Sequence, residues 1–543
     1  GTKRNWLGYC RGLFLDSYGN LREDSNSDAT LIFANDKILR MRLDTTDNSV
    51  KADLYDDTNE DGVIDTAVGS PADTVGIDNA LSLWEAGEKL AKKDKGTRNI
   101  YTWIDTDNDS VVDNGDFSSL AGEALSFDSA NNTALKPYMG ASSDAEATNI
   151  INFTRGNVVT GYRNRCAPIT VTGSLTRETG CSGASEEAGT VERVWPLGDI
   201  VYSTPTTVAT TKEQYDLIYS VASYTNFRNL YKSRRNVVYV GANDGMLHAF
   251  NAGVYTAGDN ASTTSVTEHG QFTANPATGN GWTSPTPEIG DELWAFTPYD
   301  NLPHLKWLTS TDYKHVYYAD LKPKATDVRI FCDATNTTLS PDCVDGQNGV
   351  SHPGGWGTII IVGMRFGGGL INVAGDFDNN AGTPDTTRAF RSAYYVFDVT
   401  NPENKPRLLW RFTDANLGLT TSYPGIAHIK VSATSEKWFM IVGSGPDNLA
   451  PPSSRGYDGS STQRGRVFVV NLLNGSLSFT FTNLGVNNAG ALLDANTFMG
   501  DPTVMDGDLD YTSDVIYIGS VIGTTAGKVY RINTNQDANP ANW

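Results

Sequence analysis

Residues 506–514, "DGDLDYTSD", place Asp506, Asp508, Asp510 and Asp514 at the first, third, fifth and ninth positions of one short loop. A calcium loop points oxygen ligands inward at this spacing, with side chains at those positions and a backbone carbonyl at the seventh, here Thr512. The same pattern recurs as Asp57, Asn59, Asp61, Val63 and Asp65, and again as Asp105, Asp107, Asp109, Val111 and Asp113. Gly62 occupies the sixth position of the first repeat, where such loops turn sharply, and Asp116 the twelfth position of the second. Asp favours turns for local hydrogen-bonding reasons, but turn composition alone does not generate three matches. The expected cofactor is therefore Ca²⁺, at up to three sites. A fourth acidic stretch, beginning Asp376, has the wrong final spacing and reads as a polar loop.

The elements that must carry these loops fall into two regions. In residues 1–190 the expectation is an α/β region with two calcium-type loops: a helix over 78–95 capped by Asp78, a strand over 98–104, a helix over 117–125 and a short helix over 144–156 ended by Gly156. Residues 157–190 read as a polar, disulfide-bearing connector. From 191 to 543 short Val- and Ile-rich runs close on Gly and are followed by a second alternating strand. The pairs are 237–241 with 247–252, 359–363 with 393–398, 439–443 with 465–471, and 515–519 with 527–533. Helical periodicity is nearly absent there. Repeated hairpins of this kind predict a mainly β fold, a modified β-propeller whose blades stop short at the C-terminus. "GMRFGGGLINVAGD" (363–376) lacks the ending of a phosphate loop and reads as a flexible insertion.

Composition narrows the function. Forty-two Lys and Arg face 63 Asp and Glu, a net charge of −21. Nucleic-acid and anionic-membrane binding need a basic face, so neither is expected. No apolar run approaches the roughly 20 residues of a membrane-spanning helix. Gly1 in place of an initiating Met reads as a processed or truncated chain. Five cysteines without a C-x-x-C pair predict two local disulfides, Cys166 with Cys181 and Cys332 with Cys343, and leave Cys10 unpaired, in keeping with a secreted protein. The six histidines are scattered, no G-x-S-x-G elbow occurs, and no catalytic constellation is expected.

"VWPLGDIVYSTPTTV" (194–208), "VVYVGANDGMLHAFNA" (237–252), "GDELWAFTPYDNL" (290–302) and "DGDLDYTSDVIYIG" with "GKVYRIN" (506–533) together resemble the C-terminal propeller of the PilY-type proteins of bacterial type IV pili. "NWLGYCRGLFLDSYGNL" (5–21) resembles the segment before that propeller. The resemblance implies a calcium-binding protein at the pilus tip, exported through the periplasm, that meets minor pilins, supports pilus assembly and mediates surface adhesion. It also implies that calcium in the loop carrying Asp506, Asp508, Asp510, Thr512 and Asp514 influences pilus extension and retraction. The N-terminal von Willebrand-type domain of such proteins is absent from this sequence, as is an Arg-Gly-Asp triplet. "VGANDGMLHAFNA" also resembles the repeats of quinoprotein dehydrogenases, which gives the alternative expectation of a pyrroloquinoline-quinone enzyme, although no adjacent Cys-Cys pair accompanies it.

Overall fold

Each Val/Ile run and its following alternating strand pair as antiparallel neighbours in one small sheet, central in three of the four. Asn236–Gly241 pairs with Leu247–Ala257, Trp356–Gly363 with Tyr394–Asp398, Glu436–Gly443 with Val467–Asn471, and Val515–Ile522 with Ala526–Asn533. The computed structural model describes residues 6–171, 173–211, 213–259, 267–274, 282, 286–331, 349–377, 386–432, 435–447, 460–483 and 493–543. Cys332 and Cys343 lie outside them.

An outer strand flanks each central pair. Blade 1 runs in the order Thr206–Val208, Asn236–Gly241, Leu247–Ala257, Glu292–Thr297. Blade 2 is Lys324–Arg329, Trp356–Gly363, Tyr394–Asp398, Arg407–Phe412, and blade 3 is Gly425–Lys430, Glu436–Gly443, Val467–Asn471, Leu477–Phe481. Blade 4 contains Thr497–Met505, Val515–Ile522 and Ala526–Asn533. The central strands of blades 1 to 3 are largely buried on both faces because neighbouring sheets cover them, whereas Ala526–Asn533 at the edge of blade 4 is mostly exposed. Trp356, Ile359 and Trp410 of blade 2 share one apolar cluster with Trp438, Met440 and Phe468 of blade 3. Ile429 and Phe439 of blade 3 likewise share one with Ile516 and Ile518 of blade 4. The fold is mainly β, a modified propeller.

The N-terminal region grips blade 1 by extending its sheet. Ile100–Trp103 pairs in parallel with Glu292–Thr297, and Ala124–Ser126 pairs with Ile100–Trp103. Beneath this seam lies a fully buried ion network. Arg98 forks onto Glu292 through Nε and Nη2, both at 2.8 Å, and donates from Nη1 to the carbonyl of Arg155. His248 lies between Glu292 (Nδ1 to Oε1, 2.8 Å) and Asp244 (Nε2 to Oδ2, 3.1 Å). A second, five-stranded N-terminal sheet runs from Phe14–Leu15 through Leu21–Arg22, Ile38–Asp44 and Ser49–Tyr55 to Asp73–Gly76.

Several local expectations are corrected. The helix placed over 78–95 spans only Ala86–Lys92. Trp84 and Glu85 are needed as partners for Gly12 and Arg11, so the cap shifts to Glu85, whose carboxylate accepts from Gly87 and Glu88. Residues 117–125 form no helix. Leu120 and Gly122 take left-handed backbone, and the chain returns as Ala124–Ser126, making a hairpin around the Asp105 loop. The helix over 144–156 stands as Asp144–Arg155, with Ser143 accepting from Glu146 and Gly156 left-handed. The blade region, expected to be nearly free of helix, contains Ala222–Tyr231, whose Tyr224, Phe227 and Tyr231 lie on one buried stripe. "GMRFGGGLINVAGD" is no flexible insertion either, since Ile371–Gly375 forms a hairpin with Thr386–Phe390.

Cys166 and Cys181 are bonded, and Cys10 is a buried thiol pushed up to about 12 by burial and the nearby Glu85. With its cysteines 15 positions apart, the disulfide constrains the unfolded chain by about 3 kcal/mol. Replacing both cysteines by serine is expected to lower the unfolding free energy by roughly 2–3 kcal/mol in urea melts. A loss under about 0.5 kcal/mol would show that the pairing of Cys166–Thr170 with Thr190–Val194 holds this segment without it.

Candidate metal centres

The three acidic loops, here A (57–65), B (105–116) and C (506–514), share one backbone. The fourth and sixth positions are left-handed in every case: Glu60 and Gly62, Asn108 and Ser110, Leu509 and Tyr511. Only Gly62 was legible as a turn residue. A Cβ there would lie 2.2 Å from the Tyr18 ring, so this site needs glycine for space as well as for φ. Ser110, Leu509 and Tyr511 hold the same conformation at a cost of about 1 kcal/mol or more each, which the rest of each loop must offset.

The internal hydrogen bonds repeat too. The first Asp accepts from backbone N–H groups at the fifth or sixth position: Asp57 from Asp61 and Gly62, Asp105 from Ser110, Asp506 from Asp510 and Tyr511. The fifth accepts from the seventh: Asp61 from Val63, Asp109 from Val111, Asp510 from Thr512, at 2.7–2.8 Å. These bonds curl each loop about its own centre.

What occupies that centre differs. In loop C, oxygens of Asp506, Asp508 and Asp514 all lie within 4.8 Å of one another. Asp510 does not join them, because it faces Gln536, whose Nε2 donates to both Asp510 and Asp514 at 3.1 Å. Desolvation and the charges of Asp510, Asp514 and Asp506 push the Asp508 carboxyl up, as expected of acids gathered without a counter-charge. In loop B the converging groups are Asp105, Asp107 and Asp109. Asp105 is 2% exposed, and its Oδ1 has no hydrogen-bond partner. Asp113 is exposed and outside the cluster, and Asp116 turns away to accept from Ser118. An all-oxygen donor set with an orphaned buried carboxylate oxygen fits a hard cation such as Ca²⁺.

Loop A does not bring its acids together. The guanidinium of Arg22 sits on Asp57 and Asp16, all three buried, and Nη1 donates to the carbonyls of Phe33 and Asp36. Asp65 closes on Thr58, and Asn59 donates to Asp61. A protein cation thus satisfies the carboxylate that opens the loop.

Supporting residues came from distant sequence. Glu123 clamps loop B by accepting from Trp103 Nε1 and the backbone of Thr106 and Asp113, and Arg388 donates to the carbonyls of Asp105 and Thr106. Loop C joins Thr497–Met505 to Val515–Ile522 in blade 4 and leans on blade 3. Ser513 donates to the His428 carbonyl, and the His428 ring lies 4.1 Å from that of Tyr511. The loop therefore lies where two blades meet, a placement its own residues could not reveal.

The family model for the PilY1 beta-propeller domain matches residues 197–268, which include the first strand and the central hairpin of blade 1 but not its last strand. A type IV pilus biogenesis factor PilY1 homolog of Xylella fastidiosa is 25% identical over 358 residues, 63% of this chain and 21% of that protein. Type IV pilus biogenesis factor PilY1 of Pseudomonas aeruginosa is 22% identical over 450 residues, 81% of this chain and 27% of its own length. The chain thus spans about a fifth to a quarter of these relatives. The crystal structure of the P. aeruginosa PilY1 C-terminal domain aligns with TM-score 0.33 at 18% identity, over 62% of this chain and 49% of that one. The family match over residues 197–268 and the breadth of the sequence similarity together support a PilY1-type protein.

Proposed function

We propose that this chain is a calcium-binding part of a type IV pilus biogenesis factor. In this reading it acts outside the cell at the pilus tip, beside minor pilins, in pilus assembly, extension and retraction control and surface adhesion, and not as an enzyme. The observation that carries the calcium part is the convergence of Asp506, Asp508 and Asp514 at the contact between blades 3 and 4. A cation there would draw together carboxylates that otherwise repel, holding the turn and the blade contact closed. The names of the relatives supply the pilus part. The quinone-enzyme reading gains no such support: the hairpin that suggested it commits Asp244 and His248 to the buried network with Arg98 and Glu292.

Calcium calorimetry on chelator-stripped protein is expected to give two sites, loops B and C, rather than three. Asp506→Asn should weaken one of them roughly tenfold or more and Asp105→Asn the other, while Asn59→Ala leaves both in place. Unchanged binding in Asp506→Asn would remove loop C from the account. In the bacterium that encodes the chain, Asp506→Asn should change the number of surface pili in calcium-replete medium. Equal counts would separate the calcium site from pilus control.

A further inference from the structure

The first strands of blades 1 and 2 flank a cavity of about 330 Å³ that none of the acidic loops touches. One wall is Thr206–Val208, the other begins at Lys322 and continues into Lys324–Arg329, and Tyr423 stands at the edge. The floor is a closed hydrogen-bond network. Arg234 donates to Thr358 Oγ1, Thr358 donates to Asp327, and Tyr224 donates to the other Asp327 oxygen at 2.6 Å. Asp327 is therefore fully engaged.

The walls are not. Lys322 and Lys324 are two residues apart, both line the cavity, and neither is ion-paired among the described residues. Lys322 is exposed, whereas Lys324 is half-buried, with Nζ 5.2 Å from the Tyr423 ring centre. Burial pulls the Lys324 ammonium down, Glu213 favours its charge from across the cavity without pairing with it, and Lys322 repels it. Burial and Asp327 in turn push the Glu213 carboxyl up. Two ammoniums without a direct ion-pair partner thus stand side by side over a polar cavity in a chain of net charge −21.

We propose that this cavity is a carboxylate-binding site in which Lys322 and Lys324 hold one anionic group above the Arg234–Thr358–Asp327 floor. The charges select the class: three cations on the lining against Glu213 and Asp327 leave a single positive charge, which suits a monoanionic carboxylate and disfavours a doubly charged phosphate. The volume accommodates roughly ten non-hydrogen atoms, enough for a small organic acid or for the acidic side chain of a partner protein.

Acylation of the full chain by N-hydroxysuccinimidyl acetate, mapped residue by residue, tests the site. Sodium acetate, lactate and a Glu-containing hexapeptide are compared with sodium chloride and phosphate at equal ionic strength, with exposed Lys232 as reference. At saturating ligand, Lys322 and Lys324 should be protected roughly threefold or more relative to chloride, with Lys232 unaffected. Stronger protection by acetate or lactate identifies a free acid as the source, and stronger protection by the peptide identifies a partner's side chain. Lys324→Met should abolish the calorimetric signal of the effective ligand without moving the melting temperature, and exposed Lys322→Met serves if that variant folds poorly. Protection no greater than in chloride, or greatest in phosphate, overturns the proposal.

Discussion

Replacing Arg22 by methionine is expected to lower stability by about 3–5 kcal/mol, because it strands Asp16 and Asp57 as buried carboxylates without their shared partner. The guanidinium also stacks 4.0 Å from the Phe33 ring centre and satisfies two carbonyls, so lysine, with no planar fork, should recover only a minor part. Burial alone would raise the Asp16 carboxyl, but hydrogen bonds from Arg22 and Asn20 outweigh it and hold it low. A depressed carboxylate contributes its stability above the unfolded value near 3.8, and that contribution fades as pH falls through the lower folded value. The Arg22→Met penalty should therefore be largest near neutrality and shrink in acid. Urea melts at pH 7 and pH 3 check it, and an equal penalty at both would show that packing, not charge, dominates. The variant should also expose what Arg22 replaces. With Asp57 released, loop A has the same left-handed turns and internal bonds as loops B and C, so millimolar calcium should restore part of the lost stability. A melting curve indifferent to calcium would mean that Asp61 and Asp65 cannot turn inward.

Arg22 also marks the limit of what spacing can reveal. Asp-x-Asp alternation reports the loop's backbone faithfully, since that backbone is built from contacts within nine residues, and all three loops have the same turn. It does not report the charge in the middle, because Arg22 reaches Asp57 from 35 residues away. The central blade hairpins were legible for a similar reason: a strand covered on both faces must be continuously apolar, and its partner follows nearby. The 144–155 helix was legible because Ser143 and Gly156 mark its ends locally. The helix misplaced at Asp78 and the one assigned to 117–125 failed where a strand partner took the segment instead, Gly12 and Arg11 in the first case and Ile100–Trp103 in the second. The parallel pairing of Ile100–Trp103 with Glu292–Thr297 joins residues nearly two hundred positions apart, and no local pattern announces it.

That same seam carries the other large expected effect. Glu292→Gln leaves Arg98 fully buried without its carboxylate and should cost about 3–5 kcal/mol, loosening the N-terminal region from blade 1. The network has a distinct pH signature through His248. Burial lowers its pKa, but Asp244 and Glu292 together raise it from 6.5 to about 9. A histidine held protonated in the native state contributes fully below the unfolded value, and its contribution is lost as pH rises through the folded one. Between pH 6.5 and about 9 the unfolded chain has released this proton while the native chain keeps it, so stability should fall by up to about 1.4 kcal/mol per pH unit. His248→Gln keeps the volume but cannot carry the charge. It should be less stable than the parent near pH 6, approach it near pH 10, and lose the part of the slope that His248 supplies. A parent and variant with parallel stability curves from pH 6 to 10 would show that His248 is neutral between its two carboxylates. Asp244 or Glu292 would then have to hold the proton, and the seam would rest on the Arg98 fork alone.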